Sequence, residues 1–116
     1  MNNYKETYII TIAEPWDFES PDGKNIIRGT ILSIIDSVFL IFKTNYILNF
    51  GGISGDILIL SPRFKDDNFN NVTSKKISVN GGLFLNDYNT GLEERKLKDN
   101  SKFVLIGTLN KQKDKD

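Results

Sequence analysis

The feature that most limits how this chain can fold is its succession of short apolar runs, each ended by turn-forming residues. None of the runs keeps the 3.6-residue period of an amphipathic helix over about ten residues or more. Apolar and polar residues alternate instead, or apolar residues follow one another without a break, as in half-buried and fully buried strands. Residues 56–60, DILIL, are an unbroken run of the kind expected to be covered on both faces. The predicted strands cover residues 4–13, 25–35, 38–50, 56–60, 76–86 and 102–109.

Turn signals recur about every eight to twelve residues, a spacing typical of antiparallel barrels and sandwiches. We therefore predict an all-β fold, a small and partly open antiparallel β-barrel or sandwich of about six to eight strands. At most one short helical turn is expected, in residues 87–101, which could equally form a twisted edge strand. Alanine, the best helix former, occurs only once. A chain of 116 residues can bury one core, so residues 1–110 are expected to form a single barrel-like domain and residues 111–116 a disordered polar tail.

Local residues predict how the strands are connected and bent. Asp36-Ser37 separates two apolar runs by the length of a two-residue hairpin turn. Residues 80–82, Asn-Gly-Gly, supply the glycine that a primed turn requires and predict a second hairpin. Gly29, inside a long apolar run, suggests a bend at a barrel corner. Phe64 and Phe69 are the expected anchors of the longest polar loop.

Composition excludes several kinds of chemistry. The chain has neither histidine nor cysteine, which excludes Ser-His-Asp triads, Cys-His dyads and the usual zinc sites. A calcium loop starting at Asp17 would need glycine at its sixth position and glutamate at its twelfth, where Asp22 and Arg28 stand. The glycine-rich residues 51–55 lack the Lys-Ser/Thr of a phosphate-binding loop and precede Asp56, so they are expected to be a plain connection. We expect no enzyme activity, no metal and no cofactor.

The stretch EPWDFESPDG, residues 14–23, contains the only tryptophan and four carboxylates. Pro21-Asp22-Gly23 is typical of a turn. We expect Trp16 and Phe18 to plug the open end of the barrel, with contact to a ligand as the alternative. Arg63 would either contact a ligand or pair with Asp17 or Asp22 across that end. The candidate ligand- or partner-binding residues are Trp16, Asp17, Phe18, Tyr46 and Arg63.

These features favour a non-enzymatic protein-binding module. Fifteen basic and fifteen acidic residues cancel, so no global field attracts nucleic acid or a membrane. The N-terminal apolar run is too short for a signal peptide or a membrane span, which predicts a cytoplasmic protein. The many Asn, Lys and Ile residues suggest a bacterial source, and an inhibitor or immunity-type protein fits by analogy of size and class.

The alternative function is a small barrel that binds single-stranded nucleic acid or a small ligand through aromatic and basic residues. Interleaved basic and aromatic side chains are what such a surface requires. The best candidates are Lys43, Tyr46, Arg63, Phe64 and Lys65. Exposed sheet edges would also allow a homodimer.

Overall fold

In the computed structural model, which describes residues 6–13, 18–84 and 101–112, six antiparallel strands form a closed ring. The ring order is β1-β4-β5-β6-β7-β8, and β8 pairs with β1; β2 and β3 form a separate two-stranded hairpin. The predicted all-β barrel is confirmed, and the ring closes completely where a partly open one was expected. No α-helix occurs in the described residues, and residues 85–100, which hold nearly all of the expected helical turn, lie outside them. The strands are β1 Tyr8–Ile12, β2 Glu19–Ser20, β3 Gly23–Lys24, β4 Ile26–Ile35, β5 Phe39–Phe50, β6 Ile53–Pro62, β7 Ile77–Phe84 and β8 Ser101–Lys111.

Apolar side chains fill the interior of the barrel. They come from all six ring strands at every second position, as the pleat of a strand requires. One end of the barrel, called the upper end here, carries the β5–β6 turn and the β1–β4 connection; the lower end carries the β4–β5 turn and the β6–β7 loop. The largest fully buried side chains are Tyr8, Ile10, Ile27, Leu40, Ile41, Phe42, Leu48, Leu58, Leu60, Phe69, Ile77 and Leu83.

Strand β6 is buried on both faces, as its unbroken apolar sequence predicts. Leu58 and Leu60 point into the barrel core, whereas Ile57 and Ile59 belong to a second buried cluster on the outer face. That outer cluster also includes Phe39, Ile41 and Phe84, from β5 and β7. Two layers of apolar contacts therefore hold β6 in place.

The turns at Asp36-Ser37 and Gly51-Gly52 are both tight. Asp36 and Ser37 have φ values of 52° and 64°, and the amide of Val38 donates to the carbonyl oxygen of Ile35 at 3.1 Å. The predicted hairpin is confirmed, because positive φ at both central residues is the geometry of a primed turn. The connection is one residue longer than predicted, since residues 36–38 lie between the paired Ile35 and Phe39. Residues 51 and 52 alone connect β5 to β6, with φ values of 58° and 97°. The expected loop of residues 51–55 is thus only two residues long.

The prediction of a turn at residues 80–82 is wrong. Strand β7 continues through these residues, and neither Gly81 nor Gly82 is among the glycines with positive φ. The pairing with β8 shifts between the two glycines, which marks a bulge. A Cβ atom on Gly81 would lie 2.9 Å from the side chain of Leu105. The chain therefore needs glycine at position 81 because there is no space for a side chain, and not because a turn requires positive φ there.

Gly29 allows β4 and β5 to come close together. A Cβ atom there would lie 2.1 Å from the carbonyl oxygen of Lys43 and 2.8 Å from the ring of Phe42. The register between β4 and β5 then shifts at Leu32, which is bulged outward and partly exposed. A bulge of this kind is a feature that commonly accompanies a bend in a strand, and the bend expected from Gly29 stays a prediction.

The lower end is closed by the loop between β6 and β7. Phe69 is 1% exposed and packs into the core with Val72, and its amide donates to the carbonyl oxygen of Ser37 at 2.8 Å. Phe69 is therefore the anchor predicted. The prediction that Phe64 is the other anchor is wrong, because its side chain is 55% exposed and lies against Arg63. The second buried residue of the loop is Val72 instead.

Strand β8 extends to Lys111, one residue past the predicted domain boundary. The amide of Gln112 donates to the carbonyl oxygen of Thr7 at 2.9 Å, and its Oε1 accepts from Arg28 Nε at 3.0 Å. The rest of the predicted tail, residues 113–116, is outside the described residues. Within the described part of the chain, no helix is long and apolar enough to cross a membrane.

Candidate functional site

Asp22 is the centre of a polar cluster at the upper end. Tyr46 donates its hydroxyl to Asp22 Oδ2 at 2.5 Å, and the amide of Arg28 donates to the same oxygen at 2.9 Å. Arg28 Nη1 lies 3.3 Å from Asp22 Oδ1. The Asp22 side chain is only 18% exposed. One carboxylate thus ties the β2–β3 hairpin to β4 and β5.

The sequence of the hairpin places Asp22 in that position. The Asp22 amide donates to Ser20 Oγ at 3.0 Å, and Ser20 Oγ donates to the carbonyl oxygen of Ile26 at 2.6 Å. Asn25 has a φ of 59°, and its side-chain oxygen accepts from the amide of Phe18 at 2.8 Å. Short polar side chains that bond nearby backbone groups are typical of tight turns. These hydrogen bonds fix the loop without any contribution from Tyr46 or Arg28.

Tyr46 reaches Asp22 because β5 bulges. Residues 44–47 of β5 face only Asp56 of β6 between regular ladder pairs on either side. The buried Thr44 holds this bulge, since its Oγ1 lies 2.5 Å from the carbonyl oxygen of Tyr46 and 3.2 Å from that of Asp56. A regular strand would place the tyrosine hydroxyl elsewhere.

The surroundings move the pKa values of Asp22 and Tyr46 in opposite directions. Burial raises the pKa of Asp22, but hydrogen bonds from Tyr46 and Arg28, together with the charge of Arg28, lower it below its usual value. Burial raises the pKa of Tyr46, and the hydrogen bond to Asp22 and its charge add to that effect. Asp22 is therefore ionised and Tyr46 neutral at pH 7. Neither pKa lies near neutrality, where a general acid or base works best.

Asp22 is thus a structural residue, with its oxygens occupied by Tyr46 and Arg28. The expectation that Asp22 pairs with Arg63 is wrong, because Arg63 follows β6 at the lower end. Sequence reasoning missed Arg28. A signal was present, since Arg28 is only six positions after Asp22, close enough for a hairpin that starts at the predicted turn to bring them together.

The predicted binding residues do not form one site. Phe18 is partly buried at the upper end, packs against the core and stacks on Phe50 with ring centroids 4.7 Å apart. Tyr46 lies near it in the Asp22 cluster, whereas Arg63 is at the other end. Trp16 and Asp17 lie outside the described residues, so their expected roles stay predictions.

Several ligand classes find little support in the described residues. No group of three or more acidic side chains there could hold a metal ion. Lys43, a candidate for nucleic acid, is 2.5 Å from Asp56, and Tyr46 is bonded to Asp22. The barrel interior is filled by side chains. The expected homodimer relied on free sheet edges, and ring closure pairs each strand on both sides over part of its length.

A shallow groove lies on the outer face of strands β5 to β8. Its volume is about 240 Å³. The floor is at Gly82, which pairs with Ile59 on one side and with Phe103 on the other. Phe103 is 56% exposed. We call this surface the outer groove; its lining residues are Phe39, Ile59, Ser61, Asn80, Gly81, Gly82, Ser101 and Phe103.

Arg63 and Phe64 continue from the lower edge of the outer groove. The Arg63 guanidinium carbon lies 5.5 Å from the centre of the exposed Phe64 ring. The Arg63 amide donates to the carbonyl oxygen of Ser78 at 2.8 Å, beside the Ser61 and Asn80 pair that lines the groove. Sequence reasoning selected Arg63 and missed the groove, because the groove depends on the register that sets Gly82 beside Phe103.

Comparison with known proteins identifies no relative. No protein-family model matches the chain, and no curated protein or solved structure gives a significant match. The candidate site therefore depends on the geometry of the described residues alone.

Proposed function

We propose that this protein is a non-enzymatic protein-binding module that docks through the outer groove and the adjoining Arg63–Phe64 pair. The observation that carries the proposal is a solvent-exposed phenylalanine stacked under an arginine. The pair adjoins a groove that includes the exposed Phe103 and whose described lining residues are all uncharged. Arginine and aromatic residues are enriched in protein interfaces, and arginine in their energetic hot spots.

The loop that presents Arg63 and Phe64 is held in place. Phe69 and Val72 are buried, and the Ser37 hydroxyl lies 2.7 Å from Asn70 Oδ1. A fixed loop loses little conformational entropy on binding, which improves affinity. Function carried by loops on a rigid barrel is common.

Charge on this loop favours an acidic partner. Residues 63–76 contain four basic and two acidic residues. Lys75 and Asp67 form one exposed ion pair at 3.5 Å. A loop with net positive charge would attract an acidic protein surface and bring its apolar residues to the adjoining groove. In its narrower form, the proposal is that this protein acts in a bacterial cytoplasm as an inhibitor or immunity-type protein and inhibits that partner.

The test is a binding experiment with matched surface variants. Tagged wild-type protein, an R63E/F64A variant and an I47A control are used to capture proteins from an extract of the organism that encodes the chain, once without and once with nuclease treatment. Ile47 is a good control, because its side chain is 73% exposed on β5, away from the lower loop. Each captured protein is then purified, and its binding is measured by calorimetry.

The expected result is a protein that binds wild type and I47A directly and loses about a hundredfold affinity for R63E/F64A, as the loss of one hot-spot arginine and its neighbouring aromatic ring predicts. Equal capture by wild type and both variants would contradict the proposal. Capture that disappears after nuclease treatment would favour the nucleic-acid alternative instead.

A further inference from the structure

We infer that Asp22 is a site of spontaneous modification in the folded protein, where it isomerises to isoaspartate, and that its hydrogen bonds with Tyr46 and Arg28 limit the rate. Isomerisation would move the carboxylate away from both partners and release the β2–β3 hairpin from β4 and β5. Asp22 lies at the upper end of the barrel, away from the Arg63–Phe64 pair, so this modification is independent of the proposed function.

An aspartate followed by glycine is chemically labile. The backbone nitrogen of the glycine attacks the carboxyl carbon of the aspartate side chain. A C–N bond forms, one C–O bond breaks, and the amide proton and the carboxyl OH leave as water, which gives a five-membered succinimide. Water then opens the ring at either carbonyl, to aspartate or to isoaspartate, whose main chain is longer by one carbon. Glycine favours the attack because it has no side chain to hinder the approach.

Asparagine or aspartate precedes glycine at two places in the chain, Asp22-Gly23 and Asn80-Gly81. Asn80-Gly81 lies within β7, and both residues are paired with β6 on one side and with β8 on the other. A backbone held on both sides reaches the geometry of the attack only when the barrel opens. Asp22-Gly23 belongs to the two-stranded hairpin, outside the ring. The fold therefore protects the first of these labile pairs, in β7, better than the second.

Hydrogen bonds to the carboxylate restrain the reaction at Asp22. Its Oδ2 accepts from the Tyr46 hydroxyl at 2.5 Å and from the Arg28 amide at 2.9 Å, and its Oδ1 lies 3.3 Å from Arg28 Nη1. The attack turns the carboxyl group towards its own backbone and removes one of its oxygens, so these bonds must break first. Burial raises the pKa of Asp22, but the same hydrogen bonds keep it below its usual value, and an ionised carboxylate reacts more slowly than the acid.

Packing around Gly23 offers no comparable restraint. Gly23 has a φ of 128°, and among the described residues a Cβ atom there would meet nothing within 4 Å beyond its chain neighbours. Its strand partner is Ser20, across the hairpin. The tip of the hairpin is thus open to the water that the reaction needs, and the bonds from Tyr46 and Arg28 are the main barrier.

The test follows isoaspartate at defined positions while purified protein is stored at pH 7, at a temperature below the unfolding transition. Wild type is compared with Y46F, which removes one hydrogen bond to the carboxylate. The matched control is N80D, which places the same Asp-Gly pair within β7. Each protein is also stored unfolded in urea. Peptide mass spectrometry locates the isoaspartate, an L-isoaspartyl methyltransferase assay measures its amount, and circular dichroism shows whether each variant is folded.

We expect isoaspartate at position 22 of folded wild type to form more slowly than in urea, and about tenfold faster in folded Y46F than in folded wild type. Loss of a hydrogen bond to a charged group shifts the opening of the hairpin by at least about that factor. In folded N80D, isoaspartate should form at position 22 and not at position 80, whereas in urea both positions should react at similar rates.

Three results would overturn the inference. They are equal rates at position 22 in folded wild type and folded Y46F, equal rates at positions 22 and 80 in folded N80D, and the absence of isoaspartate from position 22 of folded Y46F after the unfolded chain has reacted. If N80D does not fold, the comparison of wild type with Y46F alone decides.

Discussion

Removing the Tyr46 hydroxyl tests whether one carboxylate holds the upper end of the barrel together. The hydroxyl lies 2.5 Å from Asp22 Oδ2, and the Asp22 side chain is mostly buried. A hydrogen bond to a charged group contributes about 1.5–3 kcal/mol to stability. Because Tyr46 is only partly buried, Y46F should lower the free energy of unfolding by about 1.5–2 kcal/mol. D22N should lower it by about 2 kcal/mol, since the bond to Arg28 also weakens.

The measurement is urea denaturation followed by circular dichroism at pH 7, for Y46F, D22N and the double variant. Since the two side chains contact each other, the single effects should not add, and a coupling of about 1 kcal/mol is expected. D56N is the matched control. It removes a carboxylate from an ion pair with Lys43 whose side chains are 43% and 39% exposed, and such pairs contribute about 0–1 kcal/mol. If Y46F costs less than about 0.5 kcal/mol, the proposed role of Asp22 is refuted.

The pH dependence gives an independent check on the same residues. The pKa of Asp22 is lowered in the folded protein. Its contribution is complete above the unfolded value of about 3.9 and is lost as the pH falls through the folded value. The pKa of Tyr46 is raised, so its contribution is complete below about 10 and is lost as the pH rises through the folded value. The stability difference between wild type and D22N should be constant from about pH 5 to 8 and shrink below about pH 4.

Three further variants test the packing. G29A should destabilise the barrel by about 3 kcal/mol or more, because its methyl group would collide with the carbonyl oxygen of Lys43; an unchanged denaturation midpoint would show that the strands separate easily. F69A should cost about 3–5 kcal/mol by the same assay, since it removes a buried ring from the lower end, and a loss under about 1 kcal/mol would contradict the anchor role. F64A should change stability by less than about 0.5 kcal/mol, and a larger loss would mean that Phe64 has a structural role.

Local sequence predicted the strands and much of the barrel, because period-two alternation and turn residues act over a few positions. The Asp36-Ser37 turn is correct for that reason. Gly81 and Gly82 were predicted to form a turn because glycine favours positive φ. Glycine also allows close packing within a strand, and the contact with Leu105 that requires it at position 81 is not visible in the local sequence. Local sequence likewise gives no reason why Phe69 is buried and Phe64 exposed.

The candidate site was less predictable, because it depends on register between strands distant in sequence. Tyr46 meets Asp22 only through the bulge at residues 44–47. The outer groove exists only because Gly82 faces Phe103, 21 positions along the chain. Neither relation has a local signature, whereas Arg63 was selected from the sequence because it is one of three arginines and directly follows an apolar strand.

Pairing between β1 and β8 has a consequence for how the protein is made. Tyr8 pairs with Lys111, so the first and last ring strands are neighbours in space although nearly the whole described chain separates them. During synthesis, β1 leaves the ribosome long before β8 and must wait with one edge unpaired. The ring can close only when β8 has emerged, and bringing such distant strands together makes folding slow. Partly synthesised chains, in which β1 has no β8 to pair with, are thus expected to be the form of this protein most exposed to aggregation.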